Sequence, residues 1–205
     1  MAFAFLLQSL QRSNFSIIYA DPPWTFQTWS KRGKARSAES HYPCLTLPEI
    51  QALPIADIAA DNCTLFLWAT DPLLPQAIDL IQKWGFNYKT IGFNWVKLNK
   101  SSEGFFTGMG YWTRANAELC LLGTRGKPKR KSASVRRLVV APRREHSRKP
   151  DVVADRIVDL MGDLPRIELF ARAPRPGWEV WGNETNKWEP NVSRDLEQER
   201  KGGMG

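Results

Sequence analysis

Apolar residues along the 205-residue chain alternate between short continuous runs and longer stretches with helical spacing. Runs rich in β-favouring residues are typical of strands, and apolar residues three or four positions apart are typical of helices. The helices are predicted to begin near Thr46, at Asp71-Pro72 and at Lys149-Pro150-Asp151, and the last two end at Gly85 and Gly162. The strands are predicted at 15–20, 64–70, 87–98, 118–123, 138–141, 166–172 and 178–184.

This order of elements predicts an α/β fold. Strands that alternate with helices favour a doubly wound, mostly parallel sheet. We expect a single domain over residues 1–190 and a charged tail at 191–205 that frays. Trp68, Trp84 and Trp95 fall on apolar positions of strands and a helix, so they are expected in the core.

The first strand ends in an unusual corner, Asp21-Pro22-Pro23-Trp24. Proline cannot donate to a strand ladder and fixes its own backbone, so the strand must end at a stiff turn. Ligands of open α/β sheets bind at the carboxyl ends of strands. The corner therefore predicts a site for a planar ligand with an amino group. The alternative is a strand exit that Trp24 merely anchors.

Charge is unevenly distributed along a chain with a net charge of +8. A clustered positive excess favours a polyanionic partner, although a solvated basic face is an equal alternative and charge does not separate DNA from RNA. The first cluster contains Lys31, Arg32, Lys34 and Arg36, and the second contains Arg125, Lys127, Lys129, Arg130, Lys131, Arg136, Arg137, Arg143, Arg144, Arg148 and Lys149.

Two predicted loops combine aromatic residues with cations, which is the chemistry of base stacking beside phosphate contacts. For the first loop, 25–43, disorder is the competing interpretation. Its candidate nucleic-acid residues are Trp29, Lys31, Arg32, Arg36, His41 and Tyr42, and those of the second loop, 99–113, and its flank are Tyr111 and Arg114.

Several other functions lose support because their motifs are missing. The sequence has no G-x-G-x-x-G, no P-loop and no G-x-S-x-G string, which argues against nicotinamide, nucleotide-hydrolysing and α/β-hydrolase chemistry. Three isolated cysteines and two histidines predict no metal site. Without a membrane-length apolar run or a signal peptide, we expect a cytoplasmic protein.

The chain resembles the DPPW-type adenine methyltransferases, which include the catalytic subunit of the mRNA N6-adenine methyltransferase and compact bacterial and phage enzymes. The similarity covers residues 15–188 and is completed by Trp178 and Gly182-Asn183-Glu184. Its ordered motifs are Asp21-Pro22-Pro23-Trp24, Phe66-Leu67-Trp68, Asn94-Trp95-Val96-Lys97, Ser147-Arg148-Lys149-Pro150 and Ile167-Glu168-Leu169-Phe170-Ala171-Arg172.

The resemblance implies a Rossmann-like methyltransferase fold in permuted order, with the catalytic motif ahead of the cofactor strand. It implies S-adenosylmethionine as methyl donor and the 6-amino group of adenine as acceptor. Asp21 and the Pro22 carbonyl would accept the amino hydrogens, beside Pro23, while Trp24 stacks on or walls the base. The implied cofactor residues are Asp21, Lys149, Glu168, Leu169, Phe170, Arg172, Asn183 and Glu184, and Arg148 joins Trp24 and the loop residues above as a nucleic-acid contact.

Glu184 departs from the family pattern, which has glutamine at that position. The compact form of the chain favours DNA as the substrate, and the same reaction on RNA is the alternative. A catalytically silent nucleic-acid-binding relative is a third interpretation, against which the intact Asp-Pro-Pro-Trp argues. The oligomeric state stays open, a homodimer included, and no membrane partner is expected.

Overall fold

In the computed structural model, residues 14–24, 45–145, 148–182 and 185 are described. Their strands form one seven-stranded sheet with helices on both faces. The helices are α1 (Leu47–Gln51), α2 (Ile55–Ile58), α3 (Leu74–Lys83) and α4 (Val152–Met161). The strands are β1 (Phe15–Ala20), β2 (Ala59–Ala69), β3 (Asn87–Leu98), β4 (Glu118–Arg125), β5 (Leu138–Pro142), β6 (Arg166–Leu169) and β7 (Glu179–Trp181).

The sheet has the strand order β5-β3-β4-β2-β1-β6-β7 and is mostly parallel. β4 alone runs antiparallel to its neighbours, β2 and β3. The carboxyl ends of the other six strands therefore meet at one edge, here called the carboxyl edge, and the first residue of β4 lies there too. The predicted doubly wound, Rossmann-like α/β fold is confirmed.

Alternation along the strands sends successive side chains to opposite faces of the sheet. Ile18 of β1 packs in a core with α1, α2 and α3, whereas Ile17 and Tyr19 pack in a second core with α4. Trp68 and Trp95 lie in the second core, so their predicted burial is confirmed, as is that of Trp84 in the first.

Several element boundaries differ from the prediction. β2 begins at Ala59 rather than at residue 64, and β6 ends at Leu169 because Phe170 adopts a left-handed backbone, with φ of 62°. β7 spans only Glu179–Trp181. Asp71 does not cap the predicted helix directly, because residues 71–73 form a 3-10 turn before α3.

The second basic cluster of the sequence is divided between opposite edges of the sheet. β4 ends at Arg125 and β5 begins at Leu138, which places the intervening basic segment at the edge away from the carboxyl edge. There, the backbone N–H of Lys131 donates to the carbonyl of Leu160 near the end of α4. Arg144, Arg148 and Lys149 lie at the carboxyl edge instead. The sequence alone does not show this division of the basic cluster, because the division depends on the direction of β4 and β5 in the sheet.

Within the part of the chain that the structure describes, no helix has the length and apolar composition that a membrane crossing requires. The loop predicted at 25–43 and the tail at 191–205 lie outside the described residues.

Candidate active site

The Asp-Pro-Pro-Trp corner lies at the carboxyl edge, directly after β1. Trp24 is buried, and its indole Nε1 donates to the carbonyl of Trp68 at 3.0 Å. The Pro22 carbonyl accepts from the Trp24 backbone N–H at 2.8 Å, and the Pro23 carbonyl accepts from Leu45 at 3.3 Å. A carbonyl oxygen has two lone pairs, so Pro22 can still accept a second hydrogen. Asp21 is held in place by a corner that is bonded to the core.

Asp21 belongs to a chain of alternating charges, here called the lysine cluster. Lys149 Nζ lies 2.7 Å from Asp21 Oδ2 and 3.4 Å from Glu118 Oε2. Lys97 Nζ completes the chain at 2.6 Å from Glu118 Oε1. The cluster forms because β4 runs in reverse and begins with Glu118 where β1 and β3 end. Its members are Asp21, Lys149, Glu118 and Lys97.

Two buried tryptophans form the floor of the lysine cluster. Lys149 Nζ lies 5.4 Å from the ring centre of Trp68, and Lys97 Nζ lies 5.3 Å from that of Trp95. The two rings meet edge to face, with centroids 6.4 Å apart. Ammonium groups are attracted to the faces of aromatic rings, so this pair helps to fix both lysines.

The carboxyl of Glu118 is ionised in this setting. Burial raises its pKa, but the charges of Lys149 and Lys97 and their hydrogen bonds outweigh the burial, and the pKa of Glu118 is lowered overall. Glu118 therefore acts as a fixed negative charge that holds both ammonium groups at the carboxyl edge.

A second group, here called the arginine cluster, lies beside the first on the same face of the sheet. Arg175 Nε donates to Glu168 Oε2 at 2.9 Å, and Arg175 Nη2 lies 3.3 Å from Asp151 Oδ1. Arg144 Nη1 donates to Asp151 Oδ2 at 2.7 Å. Because the Asp151 carboxylate is engaged by arginines, it does not cap α4, although that helix begins directly after it. The members of the cluster are Glu168, Arg175, Asp151 and Arg144.

The two carboxyls of the arginine cluster are shifted in opposite directions. Burial raises the pKa of Glu168, and Arg175 offsets only part of this rise. Burial also raises the pKa of Asp151, but the hydrogen bond and charge of Arg144, with Arg175 and Arg148, lower it overall. The protein therefore stabilises the charged form of Glu168 less than the charged form of Asp151.

Strand register and a strained turn place Glu168 beside the corner. β1 and β6 pair in parallel with Tyr19 opposite Glu168, so their side chains share a face. Phe170 then turns in a left-handed conformation, which is uncommon for a bulky residue and is often found at functional sites. Its ring packs edge to face on Trp181, and Ala171 donates to the Trp181 carbonyl at 3.0 Å. β7 therefore supports the turn.

The structure brings many of the predicted site residues together. One depression at the carboxyl edge is lined by Tyr19, Asp21, Arg148, Lys149, Asp151, Glu168, Phe170, Arg172, Ala173 and Arg175. Leu169 differs, because its side chain is fully buried in the core and it can offer only backbone atoms to a ligand. Arg148 lies 3.5 Å from Asp151, so it contacts the arginine cluster. The assigned roles of all these residues stay predictions.

Other predicted residues lie apart from the depression or outside the described ranges. Tyr111 and Arg114 are exposed on the loop between β3 and β4. Those that lie outside the described residues are Trp29, Lys31, Arg32, Arg36, His41, Tyr42, Asn183 and Glu184.

The sequence pattern does not single out Glu118, Lys97, Asp151 or Arg175 as site residues. Glu118 and Lys97 stand at the start and end of apolar strands, and an acid or lysine at a strand terminus is ordinary. One signal in the sequence could have pointed to Glu118: it is a charged residue directly before the apolar run 119–122. Only the reversed direction of β4 shows that this charge reaches the carboxyl edge.

A mostly parallel α/β sheet with an Asp-Pro-Pro-Trp corner beside a strand-end glutamate defines a Rossmann-like methyltransferase. Residues 15–184 match the MT-A70 family, and the chain belongs to that family. The predicted family, with its class of reaction, methyl transfer to the 6-amino group of adenine, is thereby confirmed.

Two relatives differ in how much of their length the chain covers. It is 34% identical over 210 residues to the type II methyltransferase M.MunI of Mycoplasma, a match of 93% of this chain and 87% of that protein. It is 30% identical over 174 residues to the human N(6)-adenosine-methyltransferase catalytic subunit METTL3, a match of 83% of this chain. The chain spans only 28% of the length of METTL3.

Proposed function

We propose that the protein transfers a methyl group from S-adenosylmethionine to the 6-amino group of adenine in DNA. The observation that carries the proposal is the lysine cluster, in which a fixed carboxylate, Asp21, stands beside the Pro22 carbonyl at the carboxyl edge. The match covers 87% of the type II methyltransferase M.MunI but only 28% of the N(6)-adenosine-methyltransferase subunit METTL3. The chain is therefore more similar in its whole extent to M.MunI, which supports DNA as the substrate over RNA.

The amino group of adenine is a weak nucleophile, because its lone pair is delocalised into the ring. Lys149 engages Oδ2 of Asp21, so Oδ1 would accept one amino hydrogen while the Pro22 carbonyl accepts the other. Two acceptors on one side favour a pyramidal nitrogen whose lone pair points to the opposite side. Asp21 is also the carboxylate placed to take the surplus proton after transfer.

The arginine cluster fits the ribose of a nucleoside cofactor. Glu168 stands at the end of β6, where acids of related folds accept hydrogen bonds from ribose hydroxyls. Its half-buried carboxyl is paired with Arg175 through Oε2, so Oε1 would accept from a ribose hydroxyl. When bound, S-adenosylmethionine would supply a methyl group on a cationic sulfur, a donor that needs no metal or covalent intermediate. The remaining requirement is alignment of the two reactants, which the neighbouring clusters would provide.

The proposal is tested by incubating the protein with methyl-labelled S-adenosylmethionine and unmodified duplex DNA or RNA. The polymer is then digested to nucleosides and the label is identified by chromatography. The expected product is labelled N6-methyldeoxyadenosine. Label on RNA alone would support the alternative substrate, and no label on adenine in either polymer would overturn the proposal.

A further inference from the structure

The loop between β3 and β4, residues 99–117 and here called the β3–β4 loop, leaves and rejoins the sheet at the lysine cluster. Lys97 precedes it and Glu118 follows it, and these two side chains are 2.6 Å apart. Through Glu118 and Lys149 the base of the loop is linked by direct contacts to Asp21. The β3–β4 loop therefore stands at the rim of the proposed adenine site.

The base of this loop is firmly held. Asn116 accepts from the Lys97 backbone N–H and donates to its carbonyl, both at 2.9 Å. Phe106 donates to the same carbonyl at 2.9 Å, and the Arg143 guanidinium lies 3.4 Å from the centre of the Phe106 ring. The base is thus a fixed support for the residues that it carries.

The tip of the loop has the opposite character, because it holds large apolar side chains in solvent. Trp112 is fully exposed, and Met109 and Tyr111 are also exposed. Trp112 has φ of 61°, a left-handed conformation that costs free energy for a bulky residue. Neither the exposure nor the conformation stabilises the fold, so together they indicate a role in contact with a partner.

The charge around the tip favours a nucleic acid as that partner. Lys100 and Arg114 are exposed in the loop, where Glu103 is the one acid, and Arg143 lies beside its base. Exposed aromatic rings among cations suit stacking on bases beside phosphate contacts. An apolar protein surface would not require this positive excess.

We propose that Trp112 is a wedge that enters the base stack of duplex DNA and fills the gap left by the target adenine. This inference rests on the proposed function, because an adenine inside a duplex must be turned out of the stack to reach Asp21. Extrusion breaks stacking and pairing, and an inserted aromatic ring restores part of the lost stacking. The Trp112 ring is carried by a loop whose ends are firmly held at the rim of the site. It can therefore fill the gap in the stack while the turned-out adenine stays bound beside Asp21.

The wedge is tested with Trp112→Ala on an oligonucleotide duplex that the wild-type protein methylates. Two versions are compared, with the target adenine opposite thymine or opposite an abasic position. Loss of the wedge is expected to slow methylation of the paired duplex by about tenfold or more, since stacking on one ring is lost. The abasic duplex should restore the rate to within about threefold of wild type, because its adenine is already unpaired. Ser102→Ala, an exposed change in the same loop outside its apolar tip, serves as the control and should leave both rates unchanged.

Equal rates for Trp112→Ala and wild type on the paired duplex would overturn the wedge. An equal loss of rate on both duplexes would also overturn it, because it would indicate a defect of the site itself. A change in oligomeric state with unchanged methylation rates would overturn it as well. A second readout requires no methyl transfer: 2-aminopurine at the target position becomes brighter when it leaves the stack. If the wild-type protein brightens this probe and Trp112→Ala does not, the wedge stands even where the proposed methyl transfer fails; equal brightening, or none, overturns it.

Discussion

The lysine cluster and the arginine cluster lie side by side at the carboxyl edge, but they hold their carboxylates differently. Asp21 shares one oxygen with Lys149 and keeps a quarter of its side chain exposed. Glu168 is gripped by Arg175 beside Asp151, which itself binds three arginines. Each carboxylate keeps one oxygen for a ligand, but Asp21 is the more exposed and stands beside the Pro22 carbonyl, which suits an incoming amino group, whereas Glu168 stands at the end of β6 among arginines, which suits a ribose. Under the proposed function, the first cluster would bind the acceptor and the second would bind the donor.

The largest effect is expected from Asp21→Ala, which removes the carboxylate that would accept an amino hydrogen of adenine in the proposed reaction. Methyl transfer should fall by about 1,000-fold, comparable to the loss of a preorganised hydrogen-bonding group at the reacting atoms. The measurement is the rate of labelled methyl incorporation into DNA with saturating cofactor. A variant that kept full activity would contradict the role of the corner.

Lys149→Met is expected to have the next largest effect, because it leaves Asp21 and Glu118 without the cation between them. The methyl-transfer rate should fall by roughly 30- to 100-fold, as expected for loss of a charge-assisted hydrogen bond. The matched control is Lys97→Met, which removes a cation from Glu118 but none from Asp21. Equal losses in the two variants would show that Lys149 acts only through the charge of the cluster.

Arg175→Met probes the arginine cluster through stability. Removal of this cation leaves the carboxylates of Glu168 and Asp151 close together and partly buried, so the free energy of unfolding should fall by about 2 kcal/mol. Arg137→Met is the control, because Arg137 is exposed and makes a 3.2 Å hydrogen bond to Thr90; its effect should be within about 0.5 kcal/mol. Urea unfolding measures the free energy of unfolding of both variants. Similar losses in the two would show that the ion pair between Arg175 and Glu168 contributes little to stability.

The smallest effect is a difference in pH dependence between Glu118→Gln and Glu168→Gln. Since the pKa of Glu118 is lowered, its stabilisation is complete above the ordinary glutamate pKa and is lost as pH falls through the lowered value. Since the pKa of Glu168 is raised, its ionisation costs stability, and this cost grows as pH rises from the ordinary value through the raised one.

Urea unfolding between about pH 3 and pH 7 should therefore separate these two variants, with trends of opposite sign. The destabilisation by Glu118→Gln should grow with rising pH, and that by Glu168→Gln should shrink. Parallel trends would contradict the opposite pKa shifts.

The parts of the site that are local in sequence could be predicted, and those that depend on strand direction could not. The Asp-Pro-Pro-Trp corner can be recognised in the sequence, because two prolines must end the apolar strand that precedes them. Lys149 and Glu168 lie in ordered family motifs. Glu118 reaches the site only because β4 is reversed within a parallel sheet, and an alternating pattern carries no information about direction.

The same limit explains the divided basic cluster. Arg125 and Arg144 belong to one basic stretch of the sequence, yet β5 separates them by carrying the chain from one edge of the sheet to the other. Trp112 lies in a stretch whose aromatic residues and cations predict a nucleic-acid-binding loop, but turn-forming residues report neither the exposure of Trp112 nor its left-handed backbone.

The division of labour between the two clusters is tested most directly by the affinity of S-adenosylmethionine for Asp21→Ala and Glu168→Gln. Titration calorimetry should give Glu168→Gln an affinity about 10- to 100-fold below wild type, since hydrogen bonds to a charged acceptor are lost. Asp21→Ala should bind the cofactor within about fivefold of wild type, a change of about 1 kcal/mol or less, although it cannot transfer the methyl group. Equal loss of cofactor affinity in both variants, or a larger loss in Asp21→Ala, would contradict the assignment of the two clusters to acceptor and donor.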